Sequence, residues 1–372
     1  MAASKLKDFF DARVINDLAA ALRRAHRGFD AGAFTKACLR GLDDLELVAR
    51  AGHVATVMHQ HLPGDFEAAA RVLLAALGPE LDGSESFGMA PFRYLPHVLF
   101  VARHGLAEAH FETSMRLQYE LTKRFSAEYS IRAFLVQHPQ ATYERLQQWA
   151  HDPSVHVRRL VSEGTRPRLP WAPRLREFQR DPAPVLRLLE LLRDDDERYV
   201  QRSVANNLND IGKDHPAVLV ATCKRYLVDA TPARRWIVGH ALRSAVKAGD
   251  RGALALLGYA GKPAVRVADV RLPPRARLGD TLRFSFQLVS TARAAQELLV
   301  DFAVHFVKAD GGTRAKVFKL KKLTLGAGAR TQLEGRVSLA DLTTRKHRAG
   351  RHVVDLRLNG VELALGAFDL RD

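Results

Sequence analysis

Apolar residues recur at helical spacing over the first two thirds of the chain and alternate over the last third. From residue 4 to residue 262 the pattern reads as helix after helix. Phe9, Phe10, Val14, Ile15, Leu18, Ala21 and Leu22 share one face of a first amphipathic helix, which Gly28-Phe29-Asp30 interrupts. Phe34, Leu39, Leu42, Leu45, Leu47 and Val48 continue the pattern, and 66–77 is strongly apolar on one face until Gly78-Pro79 stops it. A loop is predicted over 82–94, then helices over 95–104 and 107–125. These helices are short, so their stability must come from the neighbours that cover their apolar faces.

From about residue 126 a repeat is visible. Asp152, Val157, Arg159 and Val161 recur 43 residues later as Asp195, Val200, Arg202 and Val204. An earlier copy lies at 128–135 and a later one at 232–238, where Pro232 precedes Arg234, Arg235 and Ile237. A period of this length predicts paired-helix repeats of HEAT type, in which each unit covers the apolar face of the next. The inward valine and the nearby arginine then repeat together, and stacking lines up Arg132, Arg158, Arg159, Arg202 and Arg235 as a basic edge.

Near Gly261-Lys262-Pro263 the period changes. Val265–Val270, 281–289, 298–307, 315–325, 330–337, 350–358 and 361–370 alternate with period two, separated by Gly311-Gly312, Gly326, Gly328 and Asn359-Gly360. About seven strands in the last 110 residues predict an antiparallel, immunoglobulin-like sandwich. The expected architecture is therefore an α-solenoid of HEAT-like helical repeats over 1–262, followed by an all-β immunoglobulin-like sandwich over 263–372.

Charge changes the picture. The chain carries +16 at a pI near 10.2, which predicts an anionic partner, nucleic acid before membrane. Residues 264–372 alone hold 20 Lys and Arg against 11 Asp and Glu, with Lys316, Lys319, Lys321 and Lys322 on one predicted strand. The two cysteines, Cys38 and Cys223, are far apart and lack metal-ligand spacing, so a reducing cytoplasm is expected and a disulfide framework is not. The His residues show no metal spacing either. No apolar run approaches the roughly 18 residues of a membrane span, and the first residues lack the apolar region of a signal peptide.

One stretch departs from ordinary repeat chemistry. Asp152-Pro153 reads as an N-cap and first turn, Val157, Leu160 and Val161 as a buried face, and Gly164 as a left-handed C-cap. A loop follows in which Pro167, Pro170 and Pro173 alternate with Arg166, Arg168, Trp171 and Arg174. A carboxylate, Glu163, thus stands at a helix end beside an aromatic ring and a basic cluster. A protein that only grips phosphates loses affinity by placing acids there, so Glu163 is the residue to explain: it either ends a helix in solvent or takes part in chemistry.

The segments 123–132, 157–171 and 202–210 resemble the AlkC branch of the bacterial AlkC/AlkD alkylpurine DNA glycosylases, some members of which carry an immunoglobulin-like domain. The resemblance implies hydrolysis of the N-glycosidic bond of cationic alkylated purines, chiefly 3-methyladenine, in duplex DNA. It implies no metal or redox cofactor and a monomer acting on DNA in the bacterial cytoplasm, on the nucleoid. It places the catalytic acids on Glu128, Glu163 and Asp210, and Trp171 and Arg159 against the lesion. Arg132, Arg158, Arg166, Arg168, Lys123, Arg202, Lys213 and Arg235 are then candidate DNA contacts. His240 stands where AlkD-type members carry a tryptophan. The alternative is a non-catalytic repeat scaffold that binds DNA or an acidic protein.

Overall fold

The computed structural model describes residues 6–83, 88–342 and 346–372. The first five residues of the chain and the centre of the predicted 82–94 loop lie outside the described residues. The chain forms two compact units, one running to Leu219 and including Arg225–Ala241, the other made of Val220–Lys224 and Leu242–Asp372.

The first unit is helical. Ala12–Ala25 buries Val14, Ile15, Leu18 and Leu22, and Asp11 caps it by accepting a hydrogen bond from the Val14 amide at 2.9 Å. The predicted 107–125 helix is shorter, Phe111–Thr122, preceded by a 3₁₀ turn over Glu108–His110. Helices Ser130–Gln137, Val155–Gly164, Arg198–Asp214 and Pro232–Ala241 carry the repeat. Val155–Gly164 and Pro232–Ala241 both pack on Arg198–Asp214. The repeated apolar positions, Val157 and Val161 in one copy and Val200 and Val204 in the next, are wholly buried.

Two local expectations change. The Val155–Gly164 helix starts after Ser154, because the Asp152 carboxylate accepts from the Ser154 amide at 2.8 Å and makes a turn before the helix. Gly164 is the last helical residue with no left-handed backbone. Its missing side chain serves close packing instead, since a Cβ there would lie 2.5 Å from Ile131 Cγ2.

Among the described residues of the second unit, short helices Arg243–Ala248 and Arg251–Leu256 precede eight strands: β1 (Val265–Arg271), β2 (Arg275–Arg277), β3 (Thr281–Ser290), β4 (Gln296–Val307), β5 (Thr313–Leu325), β6 (Arg330–Ser338), β7 (Gly350–Leu358) and β8 (Val361–Arg371). They form two sheets, ordered β1-β3-β6 and β2-β8-β7-β4-β5. All pairs are antiparallel except β2 with β8. The alternating residues Leu282, Phe284, Phe286 and Leu288 of β3 join Leu298, Val300, Phe302, Val304 and Phe306 of β4 in the core. The short β2 was not expected, because Arg275-Ala276-Arg277 after two prolines has no apolar alternation. On the edge strand β5, Lys319, Lys321 and Lys322 face solvent. A register shift at Val300/Asp301 bends the β4–β5 pairing.

Cys38 and Cys223 are both free and fully buried. Among the described residues no helix is long and apolar enough to cross a membrane.

Candidate active site

The Val155–Gly164 helix delivers Arg159 and Glu163 to one cleft, because they lie one turn apart on the face opposite Val157 and Val161. The cleft measures about 470 Å³. Its walls include Phe92, Phe125, Glu128, Arg159, Glu163, Trp171, Tyr199 and Arg202, all from the first unit. The Phe92 and Phe125 rings lie 5.2 Å apart at one side.

Glu163 is the centre of the electrostatics. One carboxylate oxygen accepts from Arg166 Nη1 at 2.6 Å and lies 3.6 Å from Arg159 Nη2; the other accepts from the Ser203 hydroxyl at 2.6 Å. Its side chain is only 7 % exposed, so burial alone would push its pKa up, and the helix C-terminus adds to that. The two guanidinium groups and the Ser203 donor outweigh burial and hold Glu163 below the usual carboxylate value. It is therefore a desolvated anion at neutral pH.

Arg159 ties the site together. Its Nη1 donates to Glu128 Oε2 at 3.1 Å and to the Ser126 hydroxyl at 3.2 Å, and its guanidinium lies 4.9 Å above the Tyr199 ring. Burial disfavours its charge, but Glu163 and Glu128 reverse that and hold its pKa up. Ser126 also donates to Glu128 at 2.8 Å, which fixes the carboxylate's rotamer.

Behind this layer stands a second ion pair. Arg166 Nε donates to Asp210 Oδ2 at 2.8 Å, and Lys213 donates to Asp210 Oδ1 at 2.8 Å. Asp210 is 1 % exposed and does not line the cleft. Asn207, on the same helix, donates to Ser162 O at 2.8 Å and to Thr165 Oγ1 at 3.1 Å, locking the end of the Glu163 helix to Arg198–Asp214.

Trp171 is 64 % exposed, and its backbone has φ 61°, a left-handed conformation that a bulky residue adopts at a cost of about 1–3 kcal/mol. An exposed indole held in that conformation at the mouth of a charged cleft has no packing explanation.

Residues 125–247 match the DNA alkylation repair enzyme family, and 266–372 match the C-terminal Ig-like domain of the uncharacterised protein YhaZ. The chain is 34% identical to the uncharacterized protein YhaZ of Bacillus subtilis (strain 168) over 361 residues, which is 95% of this chain and 96% of that protein. It is 38% identical to the Pseudomonas fluorescens alkylpurine DNA glycosylase AlkC, solved bound to DNA containing an abasic site analog. That match has a TM-score of 0.92 and covers 99% of this chain and 100% of the other. The chain belongs to the AlkC family. Its C-terminal unit contains the Ig-like domain that the YhaZ match covers.

Of the three acids expected in an AlkC site, Glu128 and Glu163 line the cleft, and Asp210 stands behind Arg166. Trp171, Arg159, Arg166 and Arg202 also line it. The other basic candidates are differently used. Arg158 is held by Asp195 at 2.6 Å, Lys123 by Glu80 at 2.7 Å and Glu120 at 3.1 Å, Arg168 by Asp214, and Lys213 by Asp210. Arg132 turns inward, 4 % exposed, onto three main-chain carbonyls, and is not among the cleft-lining residues. Arg202 and Arg235, like Arg132, hold no ion pair among the described residues, and of these three only Arg202 lines the cleft.

Sequence reasoning missed Ser126, Ser203, Tyr199, Phe92 and Phe125. One of them left a signal. Ser203 falls 43 residues after Leu160, so a hydroxyl stands at a core position of the repeat, and it is buried there against Glu163.

Proposed function

We propose that this protein hydrolyses the N-glycosidic bond of cationic alkylated purines, chiefly 3-methyladenine, in duplex DNA and leaves an abasic site. The observation that carries this reading is a desolvated, arginine-held carboxylate, Glu163, beside an exposed tryptophan in a family of DNA glycosylases.

An N3-alkylated purine is already positively charged, so the leaving base needs little protonation. As the bond breaks, positive charge moves to the deoxyribose. Glu163 and Glu128 are aimed into the cleft as fixed anions and stabilise that charge, and a carboxylate also orients or deprotonates the attacking water. Because Arg159 and Arg166 keep Glu163 ionised in a low-dielectric wall, no reorganisation is needed at the moment of reaction. The Trp171 face attracts the cationic base by about 0.5–2 kcal/mol. Asp210 acts at one remove, by holding Arg166 against Glu163.

In this reading residues 1–262 are a HEAT-like repeat glycosylase domain and 263–372 an immunoglobulin-like domain. The protein works as a monomer on DNA in the cytoplasm, and the reaction draws on no metal or redox cofactor. The test is release of free methylated base from methylated duplex DNA by the purified protein. Release of 3-methyladenine at a rate proportional to protein is the expected result. Tight, salt-sensitive duplex binding with no base released by well-folded protein overturns it in favour of a non-catalytic scaffold.

A further inference from the structure

The tryptophan loop has an unusual hydrogen-bonding problem. Pro167, Pro170 and Pro173 have no amide N–H, so the loop cannot close its own turns with the usual donors. Among the described residues its backbone closure on itself is the Leu175 amide donating to Pro167 O at 3.3 Å. The carbonyls of Gly164, Arg166 and Pro173 bracket the loop and need donors from elsewhere.

One side chain supplies them. Arg132, on the Ser130–Gln137 helix, donates from Nη1 to Gly164 O at 3.0 Å and to Arg166 O at 2.7 Å, and from Nη2 to Pro173 O. It is 4 % exposed and holds no carboxylate within ion-pairing distance among the described residues. Burial disfavours the charge of Arg132, and Glu128 and Asp210 act on it only from a distance, so its direct partners are the three carbonyls. They reach both ends of the segment: the end of the Glu163 helix on one side and the residue two after Trp171 on the other. Arg168, bound to Asp214, holds the loop from the opposite flank. Trp171 then sits at the tip in its left-handed conformation, which persists only where the surroundings over-determine it.

We infer that Arg132 is a positioning residue for base excision: its guanidinium pins the proline loop by three carbonyls and so presents the Trp171 face to the lesion. Arg132 touches neither DNA nor the reacting atoms in this account. It fixes, before substrate arrives, an aromatic wall that would otherwise sample many loop conformations. The inference rests on the reading of Trp171 as a lesion contact.

The experiment is a double-mutant cycle on the full chain with Arg132→Met, Trp171→Ala and the pair, read by single-turnover base release and by fluorine NMR of protein labelled with 5-fluorotryptophan. The Trp171 line is assigned with Trp171→Phe. Arg132→Met is expected to slow base release about 10- to 100-fold at saturating DNA. Its Trp171 line should move toward that of free tryptophan, with the Trp149 and Trp236 lines unmoved. In the Trp171→Ala background the second substitution should cost less than about twofold, because the residue it positions is gone. A full additive loss in the pair overturns the inference, as does a wild-type rate with an unmoved Trp171 line. If Trp171→Ala releases base as fast as wild type, the lesion-contact reading of Trp171 fails by itself. The pin is then judged by the NMR line, and an unmoved line overturns it. Should Arg132→Met not fold, Arg132→Lys decides. Its ammonium keeps the charge but lacks the fork that spans three carbonyls, and a native Trp171 line with a native rate overturns the inference.

Discussion

The cleft of the helical unit and the β5 edge of the sandwich are both rich in positive charge, and they use it in opposite ways. In the cleft Arg166 is buried and Arg159 half-buried, and between them they engage Glu128, Glu163 and Asp210. On β5, Lys319 and Lys321 are exposed and hold no ion pair among the described residues. The first arrangement spends little of its charge on solvent and orders carboxylates; the second leaves its charge available over several ångströms of water. Net charge therefore overcounts phosphate ligands: the arginines richest in contacts act on the protein's own acids and carbonyls.

The contrast can be broken at its strongest point first. Arg166→Met removes the shared partner of two buried acids, and breaking such a network costs about 3–5 kcal/mol. A denaturation series should show that loss, whereas any single lysine substitution on β5 should stay within about 0.5 kcal/mol. Next, Glu163→Gln keeps the shape but removes the anion that faces the developing sugar cation. Base release should fall roughly 100- to 1,000-fold, with duplex affinity retained in a binding titration.

Packing beneath the cleft gives a smaller effect. Gly164→Ala would place a methyl 2.5 Å from Ile131 Cγ2 and should lower stability by about 1–3 kcal/mol, measured as a shift in unfolding midpoint. Acid sharpens the comparison further. Glu163 is held below its ordinary value of 4.5, so its stabilising contribution is complete above that value and is lost as pH falls through the lower folded-state value. The thermal midpoint of native protein should fall more steeply below pH 4.5 than that of Glu163→Gln, and the two should run parallel above pH 5. The least effect on the fold is expected at the strand edge. Lys319→Gln with Lys321→Gln should leave Tm and base release at saturating DNA unchanged, and should reduce the slope of log affinity against log salt by up to about 2.

Much of this contrast was legible in the sequence, and the reasons differ by region. The sandwich core was readable because alternation maps directly onto buried and exposed faces, as in Leu282 to Leu288. The helical repeat was readable because valines at 157, 161, 200 and 204 share a register. Glu163 stood out as an acid among arginines. What stayed hidden was pairing between distant segments. Nothing local tells that Arg158 will meet Asp195 or that Arg132 will meet carbonyls 32 to 41 residues on. Gly164 shows the same limit: a glycine at a helix end suggests a turn, and only the neighbouring helix reveals a steric need.

The two cysteines have a consequence for the conditions in which such a protein works. Burial pushes both thiols up to about 12, and neither has exposed surface. The thiolate is the form that reacts with electrophiles, and at neutral pH it is a minute fraction of either residue. Reagents that methylate DNA bases also methylate thiols. Buried and kept protonated, Cys38 and Cys223 are shielded from the alkylating agents whose damage such a repair enzyme removes.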